Sequence, residues 1–248
     1  MRLFGLIGFP LAQSFSKKYF EEKFREEGLT DCRFENFAIP TINDLSSLLQ
    51  QHADLHGLAV TIPYKQAVMT FLNEVKIPAG LQACNCIRIA NGKLTGYNTD
   101  YIGFEKSFTP LLSSHHTHAL VLGNGGATSA VIYVLKKLNI TYEIVSRKLH
   151  NDSTLTYGDI DAGIMSSHTI IINTTPLGMY PNLDECPPIP YDEIGDRHLL
   201  YDLVYNPGMT TFLQKGEEQG AKVKNGGDML YLQAEENWKI WNDLKTEG

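Results

Sequence analysis

The sequence predicts an α/β fold made of two domains, and three observations lead to this prediction. Short apolar runs alternate with stretches of helical period along the chain, which is the pattern of α/β proteins. The chain has 248 residues, more than the ~150 expected of a single domain. Its apolar fraction, 43% with tyrosine counted and glycine left out, is that of a chain able to bury a substantial core.

The first half of the chain begins with a predicted strand and ends with a predicted hairpin. A helix over 16–27 follows the first strand, because Phe20 and Phe24 share one face and Gly28 is a typical stop. The dipeptide Asn91-Gly92, the strongest short hairpin signal, joins the last two strands. The predicted strands are 3–8, 33–38, 58–62, 86–90 and 94–97, and the remaining helices are 44–51 and 65–72.

The second half repeats the alternation after a boundary near residues 100–103. A helix over 101–112 is followed by a polar stretch and then by a buried type of strand that enters a glycine-rich turn. The predicted strands are 119–122, 142–145, 169–173 and 199–204. The predicted helices after the glycine-rich turn are 128–138, 209–219 and 228–244.

Charge and composition exclude several classes of function. A net charge of −7 argues against a general affinity for nucleic acid or anionic membranes. No apolar run approaches the ~18 residues of a membrane span, and Pro10 interrupts the apolar start that could otherwise pass for a signal peptide. The four cysteines have no disulfide-framework or zinc spacing, which favours reduced thiols and a cytoplasmic location. The histidines at 115, 116 and 118 indicate a linker rather than a metal site.

The glycine-rich turn is the first chemical signal. Gly123-Asn124-Gly125-Gly126-Ala127 follows a predicted strand and opens a predicted helix, the context that a dinucleotide site requires. The first glycine permits the tight turn, the second lets the backbone approach a pyrophosphate, and the helix N-terminus supplies N–H donors. Thr128 stands where a third glycine or alanine is usual. A mere strand-to-helix turn is the alternative interpretation.

The end of the following strand distinguishes between the two nicotinamide dinucleotides. An NAD site carries an acidic residue there, about 20 residues after the loop, for the ribose hydroxyls. This chain has Ser146-Arg147-Lys148 instead. Two cations suit the 2′-phosphate of NADP, so the sequence predicts NADP, with a solvated basic turn as the alternative.

Two further strand ends carry charged residues. Lys65 follows Thr61-Ile62-Pro63-Tyr64, and Asp100 follows Asn98-Thr99. Ligands gather at strand ends in open α/β sheets, and a lysine oriented by a carboxylate can transfer protons. From spacing alone each can equally be a surface residue.

Several motifs, in order along the chain, together resemble the shikimate dehydrogenase family. Residues 8–16 are similar to the family's G-x-P-x-x-x-S-x-S opening, and 61–65 to its T-x-P-[FY]-K stretch. Asn85 and 98–100 resemble its substrate-side asparagine and N-T-D, and 123–127 its G-x-G-G-[AS] loop. Residues 173–179, 201–207 and 229–234 match its later segments, so the resemblance runs from residue 5 to about 235.

The resemblance implies an NADP-dependent enzyme that reduces 3-dehydroshikimate to shikimate, a step toward chorismate and the aromatic amino acids. Its fold would combine a substrate-binding domain with a mixed sheet (1–101, completed by the C-terminal helix 228–248) and a Rossmann-like NADP-binding domain (102–227), with a cleft between them. The partner would be a small-molecule substrate, with no nucleic acid, membrane or metal, and the enzyme would be a monomer or homodimer.

The resemblance also implies a role for individual residues. Lys65 and Asp100 would be the catalytic pair, with Lys65 protonating the developing alkoxide. Ser14 and Ser16 would hold the substrate carboxylate, Thr61, Asn85 and Gln233 the ring hydroxyls, and Tyr205 would lie near the active site. The implied cofactor contacts are Gly123, Asn124, Gly125, Gly126, Ala127, Ser146, Arg147, Lys148, Thr174, Leu203 and Gly226.

The chain departs from the family pattern at three places, and three other functions stay open. Cys84 and Cys86 flank Asn85 and, sharing one strand face, are expected to be core residues. Lys148 stands where the family often has threonine. The polar stretch 149–158 is shorter than the helix that the family usually has there, which affects the residues expected to contact the adenine of the cofactor. The alternatives are a quinate/shikimate dehydrogenase using NAD, a folate dehydrogenase of similar plan, and a non-catalytic sensor of nucleotide or shikimate-like ligands.

Overall fold

The computed structural model describes residues 1–11, 15–149 and 153–243. These residues form two compact units. Unit 1 contains Met1–Thr99 and the chain from Ala234 onward, and unit 2 is Asp100–Gln233. The strand orders of the two units confirm the predicted combination of a mixed sheet in the first part and a Rossmann-like second part.

Unit 1 is built on a mixed six-stranded sheet. Its strands are β1 (Arg2–Gly8), β2 (Cys32–Ala38), β3 (Leu55–Val60), β4 (Glu74–Val75), β5 (Cys86–Ala90) and β6 (Lys93–Tyr97), in the order β2-β1-β3-β5-β6-β4. β1 pairs in parallel with β2 and β3, whereas β5 pairs antiparallel with β3 and β6. Asn91 and Gly92 both adopt positive φ at the predicted β5–β6 hairpin turn, as a two-residue type I′ turn requires.

Among the described residues, three α-helices contribute to unit 1, and aromatic side chains pack on its sheet. They are α1 (Phe15–Glu26), α2 (Leu45–Gln51) and the second part of α7 (Gly227–Trp241). Trp241 stacks on Phe4 with ring centroids 5.1 Å apart, and its indole N–H donates to the Ile87 carbonyl at 3.0 Å. A Cβ at Gly57 would lie only 2.4 Å from the Trp241 ring, so glycine there lets the helix pack on the sheet.

Unit 2 is built on an all-parallel six-stranded sheet. Its strands are β7 (His118–Leu122), β8 (Thr141–Ser146), β9 (Leu155–Thr156), β10 (Ile170–Asn173), β11 (Leu199–Asp202) and β12 (Lys222–Lys224), in the order β12-β11-β10-β7-β8-β9. Numbered from β7, this is the doubly wound order 3-2-1-4-5-6, which places a ligand crevice at the carboxyl ends of the central strands.

The helices of unit 2 are α3 (Asp100–Phe108), α4 (Thr128–Lys137), α5 (Ala162–Ser167), α6 (Thr211–Glu218) and the first part of α7. α3, α4 and α7 contribute to one hydrophobic cluster on the sheet, and α5 and α6 contribute to the other. Gly103 allows α3 to approach α7 closely, because a Cβ there would lie 2.4 Å from the Met229 carbonyl oxygen.

The structure corrects the predicted helix over 65–72. Residues Ala67–Phe71 form a 3₁₀ helix instead. In an α-helix the Lys65 carbonyl would accept from Met69, but it accepts from the Cys84 backbone N–H at 2.7 Å, and Met69 donates to Gln66. A partner 19 residues away in the sequence therefore takes the acceptor that the helix needs.

Other elements differ from prediction at their ends or were not predicted. The helix predicted over 101–112 ends at Phe108, and Pro110 lies in a 3₁₀ turn because it has no N–H to continue the α-helical ladder. α5, β4, β9 and β12 are short elements without a predicted counterpart, although Asp161 caps α5 by accepting from the Ile164 N–H at 2.9 Å. Within the described ranges, no helix is long and apolar enough to cross a membrane.

The cysteines and histidines that the sequence singled out are packed within their units. All four cysteines are free thiols, and Cys84 and Cys86 are fully buried in the core, as predicted. His115 and His116 each contact the Arg197 carbonyl, at 3.1 and 3.2 Å. The described residues contain no group of three or more His, Cys, Asp or Glu side chains able to hold a metal ion.

Candidate active site

In unit 1 the carboxyl ends of β1 and β3 bring two predicted substrate loops together. The Thr61 N–H donates to the Ile7 carbonyl at 2.9 Å, and the Phe9 N–H donates to the Ile62 carbonyl at 3.2 Å. Gly8 has no side chain at this crossing, where a Cβ would lie 2.5 Å from the Thr61 methyl. Ser16 lies half-buried in the first turn of α1, and Ser14 lies outside the described residues.

Lys65 follows a turn that is anchored on both sides. Tyr64 before it is buried and donates its hydroxyl to the Ile39 carbonyl at 2.6 Å. Cys84 donates its N–H to the Lys65 carbonyl at 2.7 Å. The backbone at Lys65 is thereby fixed, while its side chain is half-buried at the carboxyl end of β3.

Asn85 belongs to a buried polar chain. Its amide oxygen accepts from the Thr99 N–H at 2.6 Å, and its amide nitrogen donates to the Thr99 hydroxyl at 3.0 Å. The Thr99 hydroxyl in turn donates to the Asn237 amide oxygen at 2.7 Å. Asn237 is 1% exposed and was not predicted. Its position four residues after Gln233, on the same helix face, is the signal that would have found it.

In unit 2, Asp100 is the first residue of α3 and is buried, a position that favours a carboxylate through the helix dipole. Gln233 is also buried, and its amide nitrogen donates to the Leu230 carbonyl at 2.9 Å. Tyr205 lies after β11 with its side chain 40% exposed. Asp100 belongs to unit 2 and Lys65 to unit 1.

A cavity of ≈ 930 Å³ lies at the carboxyl ends of the unit 2 strands. It is lined by seven of the predicted cofactor residues: Gly123, Asn124, Gly125, Ser146, Arg147, Lys148 and Thr174. Five lining residues were not predicted: Tyr157, Thr175, Pro176, Leu177 and Pro188. The predicted residues that do not line this cavity are Gly126, Ala127, Leu203 and Gly226.

The glycine loop has the geometry expected for a phosphate cradle. Gly123 adopts φ +106°, which favours glycine, and a Cβ there would collide with Thr174 and Thr175. A Cβ at Gly125 or Gly126 would meet nothing within 4 Å, so the space beside these two residues is open. Ala127, the N-cap residue of α4, makes no side-chain capping bond, so the N–H groups of the first helical turn have no acceptor from that residue.

Thr128 connects the glycine loop to the next loop of the cavity. Its hydroxyl accepts from the Gly125 N–H at 3.0 Å and lies 2.9 Å from the Thr174 hydroxyl. Thr174 donates that hydroxyl to the Leu122 carbonyl at 2.9 Å. Threonine at the position of the usual third glycine or alanine therefore adds a tether between the two loops.

At the other end of the cavity, two exposed cations follow β8. The Ser146 hydroxyl donates to the Lys148 carbonyl and so fixes the turn that presents Arg147 and Lys148. No carboxylate among the described residues pairs with either cation. Tyr157, the first residue of the 3₁₀ turn Tyr157–Asp159, also lines the cavity. Burial raises the pKa of its hydroxyl, and the positive charge of Arg147 opposes that rise.

The close approach of Leu203 and Gly226 explains why the second residue is glycine. A Cβ at Gly226 would lie 2.2 Å from the Leu203 carbonyl oxygen, and the Gly226 N–H donates to Val204 at 3.0 Å. Next to Leu203, the fully buried Asp202 accepts hydrogen bonds from Asn173, Val204 and Thr210. Burial raises the pKa of Asp202 to about 6, and the three donors oppose that rise.

The raised pKa of Asp202 predicts a pH dependence of stability. The pKa of Asp202 is about 6 in the folded protein and 3.8 ordinarily, so the native protein binds this proton more tightly than the unfolded chain does. Proton binding therefore stabilises the fold fully below pH 3.8, and this contribution is lost as pH rises through 6. We expect the free energy of unfolding of the wild type, relative to Asp202→Asn, to fall by ~2 kcal/mol between about pH 4 and pH 7. Urea denaturation across that range measures it. Exposed Asp196→Asn is the control, and parallel curves for wild type and Asp202→Asn would contradict the expectation.

Comparison with known proteins places these features in context. The family model described as the shikimate dehydrogenase substrate binding domain matches residues 6–87. A Methanococcus maripaludis protein named shikimate dehydrogenase (NADP(+)) is 35% identical over 265 residues, covering 99% of this chain and 94% of its own length. A Clostridium beijerinckii protein of the same name is 36% identical, with coverages of 100% and 94%. The crystal structure of Thermus thermophilus shikimate 5-dehydrogenase in complex with NADP(H) and shikimate is 25% identical, covers 98% and 94%, and has a TM-score of 0.85.

Proposed function

This chain belongs to the shikimate dehydrogenase family, and we propose that it catalyses the reversible reduction of 3-dehydroshikimate by NADPH and a proton to shikimate and NADP⁺. This places it in aromatic amino-acid biosynthesis by way of chorismate. When bound, NADPH supplies the hydride that reduces the ring ketone. The four free thiols are consistent with a cytoplasmic enzyme, which would act as a monomer or a homodimer on a small-molecule substrate.

The observation that carries the cofactor assignment is the cavity in unit 2. Its two ends offer complementary chemistry: open space beside Gly125 in the glycine loop before α4, and the cations Arg147 and Lys148 at the end of β8. The first end suits a pyrophosphate, and the second suits a 2′-phosphate. The volume of ≈ 930 Å³ is within the range of ligand sites.

For the chemical step we propose Lys65 and Asp100 as the catalytic pair. In reduction, the Lys65 ammonium would donate a proton to the ketone oxygen as negative charge develops on it; in oxidation, the neutral amine would remove the hydroxyl proton. The positive charge of Lys65 would also stabilise the developing alkoxide. Asp100 would orient the ammonium and the substrate hydroxyl.

The remaining predicted residues would hold the substrate. Ser14 and Ser16 would bind its carboxylate at the start of α1, a helix of 12 residues with no acidic side chain in its first turn. Thr61, Asn85 and Gln233 would bind ring hydroxyls, and Tyr205 would lie beside the reacting ring. Asn85 is presented by the Thr99–Asn237 chain, whose hydrogen bonds set the direction of its amide.

The test of the proposed function is the reduction of NADP⁺, and separately of NAD⁺, with shikimate, with quinate, with a reduced folate substrate and with buffer alone. Turnover with shikimate and little with quinate supports it. Equal turnover with quinate and NAD would favour the quinate/shikimate alternative, and binding without turnover would favour a sensor. Turnover only with a folate substrate would favour the folate enzyme.

Loss of the two serine hydroxyls is expected to weaken substrate binding. Hydroxyl donors hold a carboxylate without burying a second charge, so we expect Ser14→Ala/Ser16→Ala to raise the KM for shikimate at least ~10-fold, equivalent to ~1.4 kcal/mol. Exposed Ser46→Ala on α2 is the matched control. Removal of the carboxylate from the substrate should raise the KM of the wild type far more than that of the double variant. Equal losses in both proteins would show that the serines bind something else.

A further inference from the structure

A buried carboxylate lies behind one wall of the dinucleotide cavity. Asp202 and Asn173 are the last residues of the adjacent parallel strands β11 and β10, and they face each other in register. Both are 0% exposed, so neither contacts a ligand in the cavity. A charge in this position is costly unless hydrogen-bond donors satisfy it.

Donors satisfy both oxygens of the Asp202 carboxylate. Oδ1 accepts from the Asn173 amide nitrogen and from the Val204 N–H, each at 3.0 Å. Oδ2 accepts from the Thr210 hydroxyl at 2.6 Å. All three partners donate, which is the arrangement an ionised carboxylate requires because it can only accept.

This carboxylate determines which way the Asn173 amide points. Because the amide nitrogen is directed at Asp202, the amide oxygen faces the following loop. There it accepts from the Thr175 N–H at 3.0 Å and from the Thr175 hydroxyl at 2.6 Å. The opposite amide orientation would set donor against donor at Thr175 and acceptor against acceptor at Asp202.

The loop held in this way forms part of the cavity wall. Thr174, Thr175, Pro176 and Leu177 all line it. The Leu177 N–H donates to the Thr175 hydroxyl at 3.3 Å, so the Thr175 side chain also positions the backbone at Leu177. Thr174 is held separately, through Thr128 and Leu122. Only the Thr175 side of the loop therefore depends on Asp202.

We propose that Asp202 and Asn173 form a positioning pair for the dinucleotide: the buried carboxylate orients the asparagine amide, which holds the Thr175–Leu177 wall in the shape that receives the cofactor. The pair acts without touching the ligand. The inference rests on the proposed function, because it requires a dinucleotide to occupy this cavity.

A purely structural role for Asp202 makes a different prediction, and Thr210 separates the two. The Thr210 hydroxyl also bonds to Asp202, but it serves the start of α6, where it accepts from the Leu213 N–H at 3.4 Å. Within the part of the chain that the structure describes, no hydrogen bond joins the Thr210 hydroxyl to Thr175. Thr210→Val should therefore lower stability without reshaping the cavity wall, whereas Asn173→Ala removes the connection to Thr175.

The experiment compares wild type, Asn173→Ala, Asp202→Asn and Thr210→Val. For each, calorimetry measures the Kd for NADP⁺ and for shikimate, and urea denaturation measures the free energy of unfolding. We expect Asn173→Ala to raise the NADP⁺ Kd at least ~10-fold. Asp202→Asn keeps an acceptor oxygen and should raise it ~3-fold. Thr210→Val should change it less than ~2-fold despite a loss of stability, and the shikimate Kd should stay constant in all three.

The outcomes separate this inference from the function on which it rests. A wild type that binds no NADP⁺ overturns the proposed function and this inference with it. A wild type that binds NADP⁺, together with an Asn173→Ala variant within ~2-fold of it, overturns the positioning pair alone. So does a Thr210→Val variant whose NADP⁺ Kd rises in proportion to lost stability. If Asn173→Ala does not fold, the positioning pair requires a ~3-fold higher NADP⁺ Kd for Asp202→Asn with Thr210→Val below ~2-fold. Equal Kd values for these two variants overturn it.

Discussion

Replacement of Lys65 by methionine or alanine is expected to lower kcat at least ~100-fold, the scale of a lost general acid or base. The side chain lies half-buried at the carboxyl end of β3, on a backbone fixed by Cys84 and preceded by the anchored Tyr64. Its removal takes away both the proton donor and the positive charge beside the developing alkoxide. Substrate affinity should change much less than kcat, because the ring hydroxyls and the carboxylate have other partners in the proposed site.

Lys65→Arg separates the two contributions of the lysine. Arginine keeps the charge but does not release a proton at accessible pH. If proton transfer dominates, Lys65→Arg should be nearly as impaired as Lys65→Met in both directions of the reaction. If the charge dominates, Lys65→Arg should recover much of the activity.

The control for Lys65 is Lys76→Met, an exposed lysine of the same unit whose surface ion pair with Glu74 contributes little to stability. Steady-state kinetics with shikimate and NADP⁺ provide kcat and KM for each variant. A Lys65→Ala enzyme within threefold of the wild-type kcat would remove Lys65 from the mechanism.

Arg147→Ala is expected to abolish most of the preference for NADP over NAD. An arginine that forms two bonds to an ionised oxygen contributes roughly 1.5–3 kcal/mol, and an exposed lysine adds only ~0.2–1 kcal/mol. Added and rounded, the two contributions amount to ~2–4 kcal/mol, which predicts a wild-type preference of roughly 30- to 800-fold in kcat/KM. Arg147 should carry most of it, because its planar group suits both the phosphate oxygens and stacking on adenine.

The loss should appear as weaker use of NADP, with NAD nearly unchanged. Lys148→Ala should reduce the preference only a few-fold, and its contribution should shrink as salt is raised. Exposed Lys136→Ala on α4 is the matched control for removal of a surface cation. The measurement is kcat/KM for both cofactors at low and high ionic strength. A wild type that uses both equally at low salt would contradict the two-cation interpretation and strengthen the quinate-type alternative.

Much of the fold could be predicted because its signals are local. Apolar runs such as 119–122 and 170–173 lie within strands, and Asn91-Gly92 forms the expected hairpin turn. The glycine loop lies between β7 and α4, as a dinucleotide site requires. Each of these features depends on residues within one turn or one strand, so neighbouring residues suffice to specify it.

The two-part α/β plan, the glycine loop and the cations after β8 follow from local sequence signals. Contacts between distant parts of the chain, by contrast, account for the 3₁₀ turn at Ala67–Phe71, the inclusion of Tyr157 in the cavity wall, and the pairing of Asp202 with Asn173. At the 3₁₀ turn, the Cys84 N–H occupies the Lys65 carbonyl that an α-helix would need as an acceptor. Asp202 and Asn173 are 29 residues apart in the sequence, and they meet because their two strands are neighbours in the sheet. A hydrogen bond depends on which groups meet in space, and partners this distant along the chain leave no periodic signal in it.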